Sequence, residues 1–405
     1  MRSLKAMGKV GAFLNKDPTP AMTAPSSLST AAVGAPQRLS TRVAFFIAGF
    51  VMAAWAPMVP LAKARAGLDD GTLGLLLLGL GGGSILAMPF AGYLTAHRGC
   101  RWTITVASVA LCLLLPTLAL APNAATLAIA LALFGACMGT LDCAMNIQAV
   151  LVEKAGEEAV MSGFHGMYSL GGIVGAAGMT GLLSLGLAPL PSTLVVAGLV
   201  MLGLFYAGKA LLPYGSERDG PLFAVPRGIV LFLGILCFIV FLTEGAVLDW
   251  SAVFLVSARQ MEAASAGLGY AAFAAAMTLG RLTGDAWVNR LGGVRVVMFG
   301  GTCAAAGIAV TLLLPGWPAA LVGFALVGAG CSNIVPVLFS AVGRQTRMPQ
   351  SSAIPAMVSL GYAGILLGPA SIGLLAHLAS LSWALGSLIL LLLFVSASAR
   401  YLRVN

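Results

Sequence analysis

From about residue 42 onward the chain alternates long apolar runs with short polar breaks. Crossing about 30 Å of hydrocarbon takes about 20 apolar residues. The polar–apolar alternation of barrel strands is absent, so each run predicts a membrane-spanning helix. The predicted spans lie at roughly 43–62, 72–95, 102–121, 124–150, 162–187, 192–212, 228–256, 267–288, 294–314, 318–342, 353–376 and 380–399.

The polar segments divide these spans into two sets of six. Residues 1–40 are rich in Pro, Ser, Thr and Ala without a signal-like apolar core, and they predict a disordered cytoplasmic tail. Residues 213–227 form the predicted loop between two bundles, 41–212 and 228–400, and 401–405 form a short second tail.

The composition supports a membrane protein. Of the 405 residues, 59% are hydrophobic and only 9% are charged, whereas soluble domains carry about 25% charged residues. The seven cysteines are scattered without metal-ligand spacing, so we expect no disulfide framework, metal or cofactor.

The basic residues predict the orientation. Of 22 Lys and Arg residues, three (Lys63, Arg65 and Arg259) fall on the outer side and Arg281 lies within a span, which leaves 18 on the inner side. This bias predicts that both termini are cytoplasmic. We expect the protein to lie in the inner membrane of the cell. The net charge of +9 is therefore a topology signal, and we expect no nucleic-acid partner.

Residues that recur at a nearly constant spacing predict that the two sets of six spans are related. Two glycine pairs, Gly99 with Gly292 and Gly135 with Gly328, are 193 residues apart. Five residues near the fifth span recur 190 positions later near the eleventh: Met167, Ser169, Leu170, Gly171 and Gly178 match Met357, Ser359, Leu360, Gly361 and Gly368. A six-plus-six duplication follows.

The loop after the second span resembles a signature of the major facilitator superfamily, Gly-x-Leu-x-Asp-Arg-x-Gly-Arg-Arg. This chain matches it at Gly92, Leu94, Gly99 and Arg101, with Ala96 in place of the family's Asp. The resemblance implies an all-α integral membrane fold of twelve transmembrane helices in two pseudo-symmetric six-helix bundles. The signature residues of both copies, expected to gate, are Gly92, Arg98, Gly99, Arg101, Arg281, Asp285, Arg290 and Gly292.

Three further motifs resemble the fucose-permease-like branch and, more closely, the YbjJ/MosC-like proteins. They are Trp55-x-Pro57-x-x-Pro60, Asp142-x-x-x-Asn146 and Glu244-Gly245-Ala246-x-x-Asp249-Trp250-Ser251. Membership implies secondary transport but leaves the solute undefined.

Three acids lie well inside the predicted spans: Asp142, Glu244 and Asp249. A charge costs about 2.5–3.5 kcal/mol there, so each is a proton-coupling candidate. Asp142 and Asn146 share a helix face, and we expect a polar cluster with Tyr168 and His165; the alternative is a structural hydrogen bond.

Glu244 and Asp249 are about 140° apart around their helix and need not meet. We expect a proton or substrate site at Glu244, and a gate or helix contact at Asp249. Arg281 is expected to snorkel inward or to pair with Asp285 one turn later.

The substrate-binding candidates are polar or aromatic residues within spans. Aromatic faces pack against sugar rings or cations, although Trp is also common at membrane interfaces, and amide or hydroxyl groups serve equally as interhelical contacts. The set is Trp55, Asn146, Tyr168, Trp250, Asn333 and Tyr362.

The function expected from this resemblance is proton-coupled uptake of a small polar solute, sugar-like or an organic metabolite, by a monomer in the bilayer. Efflux of metabolites or drugs is the first alternative, and a non-transporting receptor is the second. An intramembrane enzyme would need a catalytic set, and Ser162 with His165 lacks an obvious third member.

Overall fold

The apolar segments fold into helices in the computed structural model, which describes residues 33–156, 158–217 and 221–402, without the side chain of Asp70. No strand occurs in this part. The α-helices are α1 (Ala35–Trp55), α2 (Val59–Ala66), α3 (Asp70–Leu120), α4 (Ala124–Lys154), α5 (Met161–Ser184), α6 (Pro189–Ala207), α7 (Ile229–Arg259), α8 (Leu268–Leu291), α9 (Gly293–Leu313), α10 (Trp317–Cys331), α11 (Ile334–Arg344), α12 (Gln350–Leu378) and α13 (Leu381–Ser398).

These helices make twelve spans. Eleven segments in the described residues are long and apolar enough to cross a membrane. The segment containing α3 holds two spans, because Gly99 has a non-helical backbone (φ 84°, ψ 162°). Span 1 is α1 with α2, spans 2 and 3 are the parts of α3 before and after Gly99, and span 10 is α10 with α11. The remaining helices α4 to α9, α12 and α13 are spans 4 to 9, 11 and 12.

The first helix begins earlier than predicted. The sequence pattern places residues 35–40 in the tail, but α1 starts at Ala35, with the side chain of Gln37 accepting from the Gly34 amide at 2.9 Å. The hydroxyl of Thr41 further bonds Gln148 of α4 at 3.2 Å, so polar residues in the first turns are satisfied by capping and tertiary contacts. The rest of the predicted tail, 1–32, and residues 403–405 lie outside the described residues.

The internal duplication appears in the backbone itself. Gly292 has φ 81° and ψ 149°, nearly the conformation of its counterpart Gly99. Gly135 packs so closely on span 2 that a Cβ would collide with the carbonyl of Leu80, and Gly328 is placed likewise against Phe273 of span 8. The sequence offset therefore marks equivalent positions in two six-helix halves.

Two pairs of spans make the largest contacts between the halves. Spans 2 and 11 pack where Gly92 lies against Ser351 and Pro355, and spans 5 and 8 pack where Gly166 lies against Leu282. Twelve spans are an even number, so the start of α1 and the residues that follow α13 lie on one face of the described chain. On this face Phe232 at the start of α7 contacts Tyr401, with ring centroids 6.3 Å apart. We call this the terminal face and its counterpart the opposite face.

Candidate functional site

A buried arginine joins the two halves near the middle of the spans. Arg281 of α8 is 7% exposed. Its Nη2 lies 3.4 Å from Glu244 Oε1 on α7, and its Nη1 donates to Ser169 Oγ on α5 at 3.0 Å. The expectation that Arg281 snorkels inward or pairs with Asp285 is therefore wrong, because helix rotation points its side chain at spans 5 and 7.

A break in span 10 supplies a third partner for this arginine. Nε of Arg281 donates to the Ser332 carbonyl at 3.3 Å. Pro336, four residues later, has no amide hydrogen to offer that carbonyl, so the oxygen is available. Ser169 and Ser332 are not among the site residues predicted from the sequence. The recurrence of Ser169 in the internal repeat and the position of Pro336 four residues after Ser332 are the sequence features that could have indicated them.

Asn333 occupies the same break. Its Nδ2 donates to the Gly280 carbonyl and to Ser332 Oγ, both at 3.0 Å, so it forms an interhelical contact with α8. Its Oδ1 is buried without a hydrogen-bond partner in the described part of the chain. A role in solute binding stays a prediction.

Asp142 faces the same central region from α4. Asn146 Nδ2 donates to the Asp142 carbonyl at 2.9 Å and reaches its carboxylate at 3.4 Å, so the two share a helix face as expected. Among the described residues the Asp142 carboxylate has Asn146 as its hydrogen-bond partner, so no hydrogen bond joins it to Tyr168 or His165 in the expected cluster. Arg281, Glu244, Ser169 and Ser332, which come from spans 5, 7, 8 and 10, do contact one another, and we call them the central cluster.

His165 lies beside this cluster in an aromatic setting. Its ring packs between Phe45 of α1 and Phe339 of α11, with centroids 5.1 Å and 5.4 Å away, and its Nδ1 is 3.0 Å from the Met161 carbonyl. It therefore packs between the halves and bonds its own helix.

The aromatic and outer candidates are spread more widely. Trp250 Nε1 donates to the Pro369 carbonyl at 3.1 Å, which ties α7 to α12. Trp55 is buried, with an indole nitrogen that lacks a partner among the described residues. Asp249 is exposed, about 7.5 Å along the helix from Glu244 toward the opposite face.

The second signature copy joins the two halves at the terminal face. Both oxygens of Asp285 accept from the Gly163 amide, at 3.0 and 3.1 Å, at the start of α5. Asn289 accepts from the Ala159 amide at 2.9 Å and donates to its carbonyl at 3.1 Å. These bonds hold span 8 of one half to span 5 of the other. Arg290 and Gly292 follow at the exposed end of α8.

Gly92 of the first signature copy packs on span 11 of the other half, whereas the later residues of this copy act within their own half. Arg101 Nε donates to the Leu211 carbonyl at 2.9 Å, and its Nη2 donates to the Lys209 carbonyl. Gly99 lies against Pro213, and Arg98 stacks on Trp102 at 5.4 Å. This copy fixes the loop that follows span 6.

No protein-family model matches the sequence, but the chain is similar to bacterial proteins. It is 57% identical over 368 residues to an uncharacterised MFS-type transporter of Yersinia pestis, covering 91% of this chain and 96% of that protein. It is 32% identical over 351 residues to the membrane protein MosC of Rhizobium meliloti, covering 84% of each.

The fold is similar to that of FucP. A structure of FucP in the outward conformation superposes with a TM-score of 0.78 at 15% identity, covering 92% of this chain and 100% of that one. A second structure, of the Escherichia coli fucose:proton symporter FucP, gives 0.74 at 15% identity, with 91% and 98% covered. At this identity the likeness concerns the fold.

Proposed function

The chain belongs to the major facilitator superfamily of membrane transporters, and from that premise we propose that it imports a small polar solute, sugar-like or an organic metabolite, together with protons. Alternating access between the two halves would carry the solute. The fold shared with a fucose:proton symporter supports both parts of this proposal.

The observation that carries the proposal is the ion pair of Glu244 and Arg281, linked to Ser169 across the halves. Bringing two charges out of water costs several kcal/mol per ion, and mutual attraction offsets this only while both are charged. A proton on Glu244 would leave Arg281 with neutral partners and a guanidinium free to bind a solute oxygen. Proton and solute binding would then depend on each other at one place.

Asp142 is the second proton-coupling candidate. It lies on α4, in the half that also supplies Ser169, the partner of Arg281 across the halves. A change in the charge of Asp142 would therefore act on the bonds between the halves, which a coupling ion must do to shift one state against the other. Asp249, exposed nearer the opposite face, keeps its proposed gating role.

The orientation follows from the basic residues. We propose that the terminal face is cytoplasmic, with both termini inside the inner membrane of a bacterium, because 18 of the 22 Lys and Arg residues fall on that side. Asp285 bonds Gly163 of α5 and Asn289 bonds Ala159 just before it, so these contacts would hold the halves together on the cytoplasmic side. The transporter would act as a monomer.

Flux into proteoliposomes tests the proposal. The purified protein is screened by thermal shift against sugars, polyols, organic acids and amines, and each stabilising compound is assayed for uptake under an imposed pH gradient. Glu244→Gln and Asp142→Asn should lose gradient-driven accumulation, whereas Glu262→Gln, at an exposed position beyond α7, should retain it.

Exchange of labelled solute without a pH gradient separates coupling from damage. The two variants should still exchange solute, since exchange needs no net proton movement. Accumulation at the wild-type rate by both variants would refute proton coupling through these acids. Gradient-driven movement only out of preloaded vesicles would favour efflux, and the absence of flux for every stabilising compound would favour a receptor.

A further inference from the structure

The loop between the halves covers a crevice at the terminal face. Its outer part has a volume of about 840 Å³ and includes Arg227 and Arg347 in its lining. Its inner part, about 530 Å³, reaches Leu86 of span 2 and Ala356 of span 11. Phe223, Ala224, Val225 and Ser352 line both parts, so the two parts adjoin each other along the loop.

The inner part is an apolar slot on the side of the protein. Leu86 is 73% exposed on span 2, and Phe223 of the loop is 66% exposed while its ring packs edge-on against Phe90 at 5.6 Å. Ser352 Oγ donates to the Pro221 carbonyl at 3.1 Å and fixes the loop on span 11. Exposed apolar side chains at this position face lipid, so the slot opens toward the hydrocarbon of the bilayer.

The outer part carries unbalanced positive charge. Arg227 precedes α7 and Arg347 follows α11, and both side chains are exposed. Neither forms an ion pair with an acid of the described residues. A guanidinium offers donors in a planar fork that fits phosphate oxygens. Positive charge at the polar end and an apolar slot below it match the two ends of an anionic phospholipid.

We propose that this crevice binds an anionic phospholipid, with its phosphate between Arg227 and Arg347 and an acyl chain in the slot. The lipid would touch span 2 in one half and span 11 in the other, beside the close contact of Gly92 with Pro355. It would therefore stabilise the arrangement in which the terminal face is closed, since a ligand favours the state whose site it fits.

Native mass spectrometry of the full-length protein tests this, with phosphatidylglycerol and phosphatidylcholine of identical chains as probes. Wild type should retain phosphatidylglycerol in preference. The double variant Arg227→Ala/Arg347→Ala should lose about 30-fold of this preference, since each basic residue near a membrane surface contributes about 1 kcal/mol. The control Arg290→Ala/Arg295→Ala removes two exposed charges from the same face, outside the crevice, and should keep the preference.

Phe223→Ala tests the slot while leaving both arginines in place. It should weaken retention of both lipids and preserve the ratio between them. The proposal is overturned if wild type retains the two lipids equally, if the crevice variant keeps its preference, or if the control loses as much. Thermal stability of each variant in zwitterionic detergent confirms that it is folded, and none of these readouts requires transport.

Discussion

Replacing Asp285 should loosen the closure of the terminal face. Its carboxylate is the acceptor for the Gly163 amide at the start of α5, where the helix dipole favours negative charge. Asp285→Asn keeps an oxygen acceptor but loses the charge, which contributes about 1 kcal/mol in a partly buried setting. The equilibrium population in which this contact is open should therefore increase about fivefold.

Asp285→Ala removes acceptor and charge together. A hydrogen bond to a charged group contributes about 1.5–3 kcal/mol net, so opening should increase by about 30-fold for a loss near 2 kcal/mol. The three proteins should form a graded series from wild type through Asn to Ala. This gradation distinguishes loss of the bond from a general change in packing.

Hydrogen exchange measured by mass spectrometry reports the opening directly. Amides of residues 159–166, at the start of α5, should exchange faster in the order given. Residues 349–356, the equivalent segment before and within α12, serve as the internal control, since they lie against span 2. Unchanged exchange at 159–166, or an equal rise in both segments, would refute the assignment of closure to Asp285.

Three other predictions concern the scaffold. Gly135→Ala should destabilise the protein by about 1–3 kcal/mol, because its Cβ would meet a backbone carbonyl of span 2. The control Gly178→Ala, where a Cβ has open space, should be tolerated, and thermal unfolding in detergent compares the two variants. Gly99→Ala should cost about 1–3 kcal/mol in the same assay, because φ is +84°. Asp69 caps α3 by accepting from the Thr72 amide, and this bond lowers the pKa of the Asp69 carboxyl. Asp69→Ala should therefore speed amide hydrogen exchange in the first turn of α3 above pH 3.8. The difference between variant and wild type should disappear as the pH falls through the lowered pKa, because wild-type Asp69 is then protonated as well.

The spans and the duplication could be predicted because both are local properties of the chain. Hydropathy over about 20 residues reports the environment of a single helix, whatever its neighbours are. The spacing of Gly99 and Gly292 likewise reports a backbone conformation that each half adopts separately. Hydropathy does not predict the start of α1 at Ala35, because capping and tertiary hydrogen bonds extend that helix beyond its apolar residues.

The partners of Arg281 could not be predicted from spacing. Asp285 lies one turn away on the same helix, while Glu244 is 37 residues away on another. Which of them the guanidinium meets depends on how α8 is rotated against α7 and α5, and that rotation is set by packing across the whole bundle. The role of the Ser332 carbonyl could not be predicted for a related reason. A proline leaves a carbonyl without its helical hydrogen bond, but the packing of the neighbouring helix determines which donor bonds it.

The two signature copies differ in a way that explains the missing acid of the first. At the offset of 193 that joins Gly99 to Gly292, Ala96 corresponds to Asn289 and Gly92 corresponds to Asp285. In the first copy Gly92 lets span 2 approach span 11 directly, so no polar latch is needed there. In the second copy Asp285 bonds Gly163 of span 5, and Asn289 bonds Ala159 just before that span. The terminal face is thus closed by packing on one side and by polar bonds on the other. Water can replace the polar bonds when they separate, so we expect the contact of spans 5 and 8 to open at lower cost than that of spans 2 and 11.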